Sequence, residues 1–113
     1  EIVSNMKQMG IVINDRIGPD NDYSICDYRV YQDRFIPDKQ LDIKWQHINT
    51  IGYSWGYNAQ QEEKDYKSGE MIYELYNTVR NFGGGFLINI GPKSDGSICC
   101  YESSAIEYFA KKI

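Results

Sequence analysis

Apolar positions fall into three kinds of pattern along the chain. Ile2, Val3, Met6 and Met9 recur at helical spacing, and Gly10 follows where a left-handed C-terminal cap would sit. Residues 11–14, Ile-Val-Ile-Asn, form a β-branched run without alternation, which reads as a strand buried on both faces, as in parallel sheets. Periodicity then fades from Arg16 to about His47, where Gly18-Pro19, Asn21-Asp22 and Pro37-Asp38 mark a loop. Loops of that length are unusual inside a domain and tend to carry function. Residues 50–54 predict a second short strand. An acidic start at or before Asp65 leads into a helix with Ile72, Leu75, Tyr76 and Val79 on one stripe. Gly83 to Gly85 end that helix, residues 86–90 predict a third buried strand, and a final helix runs from about Tyr101 with Ile106, Phe109, Ala110 and Ile113 on one face.

Alternating β and α segments predict an α/β fold with a parallel sheet and right-handed crossovers. The strand starts are spaced at roughly the 30–40 residues of a βα unit with its loops in an eight-stranded barrel. Three strands cannot close a barrel and would leave sheet faces bare. The expected fold is therefore a partial (β/α)8 TIM barrel, about its last three βα units, within one domain of 113 residues.

The glycine run could suggest a phosphate loop, but its order is wrong. A dinucleotide fingerprint places its glycines after a strand and before a helix. Gly83, Gly84 and Gly85 follow a helix and precede a strand, so they read as a helix stop. The segment beyond that strand, Gly91-Pro92-Lys93-Ser94-Asp95-Gly96, falls at the strand's C-terminal end, where barrels place their active sites.

Charge removes further classes. The net charge of −4 and the scatter of Lys and Arg argue against nucleic acid, which needs clustered cations. No apolar run is long enough to span a membrane. The chain opens Glu-Ile-Val-Ser-Asn, with neither an initiator Met nor a signal peptide, as a mature chain or a piece of a longer one would. Cys26, Cys99 and Cys100 lack metal-ligand spacing, and neither a Cys26 bridge to one of the pair nor three free thiols is favoured.

Four stretches carry a resemblance to a known family. Ile13-Asn14-Asp15-Arg16 resembles the "VNDR" strand end of the α-L-fucosidases, glycoside hydrolase family 29. Asp22-Tyr23 through Arg29 resembles that family's "GDYxTPEYR" loop, and Trp45-Gln46 with residues 51–58 resembles "WE…IGxSWGYN". Residues 83–92, with Asp95-Gly96 after them, resemble "GGNxLLNIGPxxDG". The motifs stand in the family's order and cover nearly the whole chain.

The resemblance implies retaining hydrolysis of α-L-fucosides, with one carboxyl group as nucleophile and another as acid/base. The family's nucleophile precedes "VNDR", so residues 1–113 would be the C-terminal portion of the catalytic barrel, completed by an upstream half. The acid/base glutamate of "TPEYR" matches Asp27. The glutamate of "WE" is replaced by Gln46, which can neither give nor take the proton; this favours Asp27, or else a catalytically inactive fucose-binding or scaffold relative. Arg16 is expected to pair with the nucleophile and sugar hydroxyls, or with Asp15 or a loop carboxylate. Trp55 is expected to offer an apolar platform to the sugar's methyl group, or to pack between barrel and loop. Asn89 and Asp95 read as structural, one tying loops together and the other turning the chain before a glycine. Two carboxyl groups need no metal or cofactor. The implied partner is a fucosylated glycan, and the implied compartment secreted, periplasmic or lysosomal.

Overall fold

The structure is a computed structural model that describes residues 1–17 and 26–113. Its elements are α1 (Ile2–Gln8), β1 (Arg29–Val30), β2 (Trp45–Thr50), α2 (Gly69–Asn81), β3 (Gly85–Asn89) and α3 (Cys100–Lys112), with a short 3-10 turn at Glu63–Asp65. The strands form one sheet in the order β1-β2-β3, both pairs parallel. A parallel α/β arrangement is therefore present, as the alternation predicts. The part of the expected long loop that holds Gly18-Pro19 and Asn21-Asp22 lies outside the described residues.

Helix boundaries follow from local chemistry. Gly10 takes φ +74° after α1, the left-handed geometry that ends a helix without Cβ strain. Ser68 caps α2, its hydroxyl accepting from the Met71 amide at 3.2 Å. Gly83 at φ +78° closes α2, and the Gly84 amide turns back onto the Val79 carbonyl at 2.9 Å. The glycine run is thus a helix stop.

Three expectations about strands need correction. Residues 11–14 form no strand; they contribute a single parallel bridge, Asn14 to Tyr28. Only Ile13 of that run is buried, while Val12 is 69% exposed. The middle strand runs over Trp45–Thr50, earlier than expected, and residues 51–56 are bends after it. β3 is only half-buried, with Leu87 42% exposed.

The two faces of the sheet explain that exposure. Side chains alternate along a strand, so Trp45, His47 and Asn49 share one face and Gln46, Ile48 and Thr50 the other. The first face meets the helices: His47 stacks on Phe86, which packs edge-on to Tyr76 and against Phe109. The Trp45 indole donates to the Phe82 carbonyl at 3.0 Å. Ile51, Ile72 and Ala105 form the core, flanked by Tyr66, Phe86, Ile88, Ile90, Ile106 and Phe109. On α3 the buried positions are Glu102 and Ala105, whereas Ala110 and Ile113 are exposed. The inward stripe of α3 thus includes a carboxylate, which an apolar pattern does not reveal. The second sheet face, with Gln46, Leu87 and Asn89, points away from the helices.

Candidate active site

The parallel strands point their C-terminal ends the same way, and the loops leaving those ends meet there. Asn14, Asp15 and Arg16 illustrate how a tripeptide builds one corner. The Asn14 side-chain carbonyl accepts from the Arg16 amide at 3.0 Å, which turns the chain. Asp15 accepts from the Val30 amide at 2.8 Å and lies 3.6 Å from the Arg29 guanidinium, which fastens the turn to β1. Arg16 is left reaching outward. Its Nη2 donates to the Tyr31 carbonyl and to Asp33 Oδ1, each at 2.7 Å. Arg16 therefore pairs with a loop carboxylate, Asp33, rather than with Asp15.

Trp55 sits on the loop after β2, half-buried. That loop is held at almost every residue. The Ser54 amide donates to Gln61 Oε1 at 2.8 Å, and Asn58 donates to the Ser54 hydroxyl at 3.1 Å. Arg34 Nη2 donates to the Tyr53 carbonyl at 3.1 Å, and Asn89 Nδ2 to the Trp55 carbonyl at 2.6 Å. Gly91 packs so tightly on this loop that a Cβ there would stand 2.7 Å from the Gly56 carbonyl carbon and the Tyr57 nitrogen. Glu102, buried on α3, receives the Gly91 amide on both carboxylate oxygens at 3.2 and 3.1 Å. Asp95 turns the following segment by accepting from the Ser97 amide and hydroxyl at 2.9 and 2.6 Å, with Gly96 at φ +85°. Asn89 and Asp95 thus act as the loop tie and the turn that their positions predict.

Arg16 and Trp55 touch two consecutive residues of the loop after β1. Asp33 holds Arg16, and its neighbour Arg34 lays its guanidinium over the Trp55 ring at 5.0 Å. Asp27 stands elsewhere, two residues ahead of β1. Its Oδ2 accepts from the Ile13 amide at 2.9 Å, its own amide donates to the Ile13 carbonyl at 2.8 Å, and Lys7 lies 3.9 Å from Oδ1. Asp22 and Tyr23, the start of the same sequence motif, lie outside the described residues. Gln46 lies half-buried on the sheet face that the helices leave uncovered.

Burial sets the electrostatics around this end of the sheet. Desolvation, with Arg34 nearby, lowers the Lys67 ammonium below its ordinary value while its Nζ donates to the Thr50 carbonyl at 2.7 Å. Desolvation also lowers the His47 pKa, outweighing the hydrogen bond from Nδ1 to the Phe35 carbonyl at 2.7 Å. Tyr66 is pushed up to about 12, first by burial and then by Cys99, while accepting from Gln61 at 3.1 Å. A groove of about 650 Å³ between the starts of α2 and α3, lined by Lys67, Gly69, Tyr101 and Tyr108, contains none of Arg16, Asp27 or Trp55. Among the described residues, no cluster of three or more His, Cys, Asp or Glu could hold a metal ion.

Sequence reasoning passed over Asp33, Arg34 and Gln61. No periodicity or motif marks them; their roles come from loops closing over distance.

The sequence model of the Alpha-L-fucosidase family matches residues 1–111. The plasma alpha-L-fucosidase of Rattus norvegicus is 41% identical over 93 residues, covering 78% of this chain and 19% of that protein. The alpha-L-fucosidase of Dictyostelium discoideum is 36% identical over 89 residues, with the same coverage of 78% and 19%. A solved alpha-L-fucosidase structure superposes with a TM-score of 0.77 at 26% identity, over 97% of this chain and 24% of its own. The chain thus spans about a fifth of the length of the curated relatives it matches. With a family match along almost its entire length, this chain belongs to the α-L-fucosidase family.

Proposed function

We propose that residues 1–113 are the C-terminal portion of a (β/α)8 catalytic barrel, about its last three βα units, in an enzyme that removes terminal α-L-fucose from glycoconjugates with retention. The observation that carries this reading is that Arg16 and Trp55 both lie on loops at the C-terminal ends of parallel strands, Arg16 held by Asp33 at 2.7 Å and Trp55 under the Arg34 guanidinium at 5.0 Å. A guanidinium and an indole on loops at the same end of the sheet suit a deoxy sugar, whose hydroxyls accept hydrogen bonds and whose methyl group packs on an aromatic face. The uncovered sheet face, with Leu87 exposed, is where the upstream half of the barrel would pack. That half would supply the nucleophile. Two carboxyl groups suffice for the reaction, so no cofactor is needed. The substrate is a fucosylated glycan, and the compartment secreted, periplasmic or lysosomal.

Asp27 takes the acid/base role in this reading. To reach a glycosidic oxygen at the C-terminal ends of the strands, its carboxyl must leave both the Ile13 amide and its place ahead of β1. Asp27→Asn in the complete protein tests the assignment: the acid's contribution, about 10²- to 10⁴-fold, should be lost from kcat. Unchanged hydrolysis would remove Asp27 from the role.

A second reading, a fucose-binding relative without turnover, is favoured by two specific observations. Asp27 is engaged with main chain, and Gln46 on the open sheet face replaces a carboxylate. It predicts fucose binding by calorimetry with no release of an aryl leaving group, and gain of hydrolysis in Gln46→Glu.

A further inference from the structure

Arg34 has an unusual backbone. It is the non-glycine residue with positive φ, +65°, among the described residues. An L side chain in that conformation costs free energy and persists where surrounding contacts hold it. Those contacts are visible: its amide donates to the Ile48 carbonyl of β2 at 2.8 Å, and its Nη2 to the Tyr53 carbonyl at 3.1 Å. The outcome of the turn is directional. Asp33 points to Arg16 at 2.7 Å while the next side chain lies over Trp55 at 5.0 Å.

We infer that Arg34 is a positioning residue of the sugar site: its left-handed turn carries the guanidinium onto Trp55 and fixes the indole in the pose that receives the fucose methyl group. This deepens the fucosidase reading and rests on it. A guanidinium lying over the indole and anchored to the Tyr53 carbonyl restricts the ring's rotamers before substrate arrives. The ordering cost that binding would otherwise carry is then already met in the free protein.

Arg34→Gly separates positioning from folding. Glycine accepts φ +65° without steric cost, so the turn and the Ile48 hydrogen bond survive while the guanidinium is lost. The complete protein would be labelled with 5-fluorotryptophan and the Trp55 resonance assigned with Trp55→Phe. Arg34→Gly should shift and broaden the Trp55 fluorine signal. It should raise KM for an aryl α-L-fucoside about three- to tenfold with kcat within about twofold, the size expected for one re-mobilised side chain. In the Trp55→Phe background the same substitution should change KM little, because its route through the indole is gone. An unshifted Trp55 resonance, or a KM effect that persists undiminished in Trp55→Phe, overturns the inference while hydrolysis by the wild type leaves the fucosidase reading standing. A wild type that neither binds fucose nor cleaves the fucoside overturns both.

Discussion

Asn89, the last residue of β3, donates its side-chain amide to the Trp55 carbonyl at 2.6 Å and to the Thr50 hydroxyl at 3.2 Å. One side chain thus ties the end of one strand to the loop leaving its neighbour. Asn89→Ala should cost about 1–3 kcal/mol, because the half-buried acceptors lose their donor. Asn89→Asp should cost more, since a carboxylate would face a carbonyl oxygen. Urea unfolding of both variants checks the order.

Glu102 offers a second tie. It is 3% exposed and receives the Gly91 amide. Glu102→Ala leaves that amide without an acceptor and should destabilise by about 1–3 kcal/mol. Glu102→Gln keeps one acceptor oxygen and should cost less. Equal losses in the two variants, measured by denaturant midpoint, would mean that the hydrogen bond is not what the buried side chain supplies.

Two glycines give opposite forecasts. A Cβ on Gly84 would stand 2.5 Å from Trp45 Cζ2, against a ring that is 3% exposed and fixed to the Phe82 carbonyl. Gly84→Ala should therefore destabilise by about 1–3 kcal/mol through overpacking. A Cβ on Gly56 would meet nothing within 4 Å, and Gly56→Ala should stay within about 0.5 kcal/mol of the parent. Thermal melts of the pair make the comparison.

His47 predicts a pH dependence. Its hydrogen bond to the Phe35 carbonyl assigns the proton to Nδ1, leaving Nε2 to accept from Asn49 at 3.3 Å. Protonating Nε2 would set donor against donor in a buried place. The folded pKa is lowered, so the unfolded chain binds the proton first as pH falls. The contribution is full above the unfolded value of about 6.5 and declines as pH falls from there through the folded value. The slope can reach about 1.4 kcal/mol per pH unit. Urea unfolding between pH 7.5 and 5.5 should show this decline in the parent and a shallower one in His47→Gln.

How legible the fold was depended on where burial was apolar. Helix α2 could be read because Ile72 and Val79 are both buried and apolar. Strand β2 could not, because His47, Asn49 and Thr50 are buried with their polar atoms satisfied inside the protein. A hydropathy pattern reads such residues as surface. The site divides in the same way. Arg16 and Trp55 sit in stretches that resemble a family motif, whereas Arg34 matters through a backbone conformation and a carbonyl of β2 that no local pattern encodes.

The most direct test of the account is hydrolysis of an aryl α-L-fucoside by the complete protein, with and without Asp27→Asn. The account predicts release of the leaving group by the wild type, with α-L-fucose as the first-formed anomer, and a loss of about 100-fold or more in kcat in the variant. Fucose binding without any hydrolysis by the wild type would contradict it.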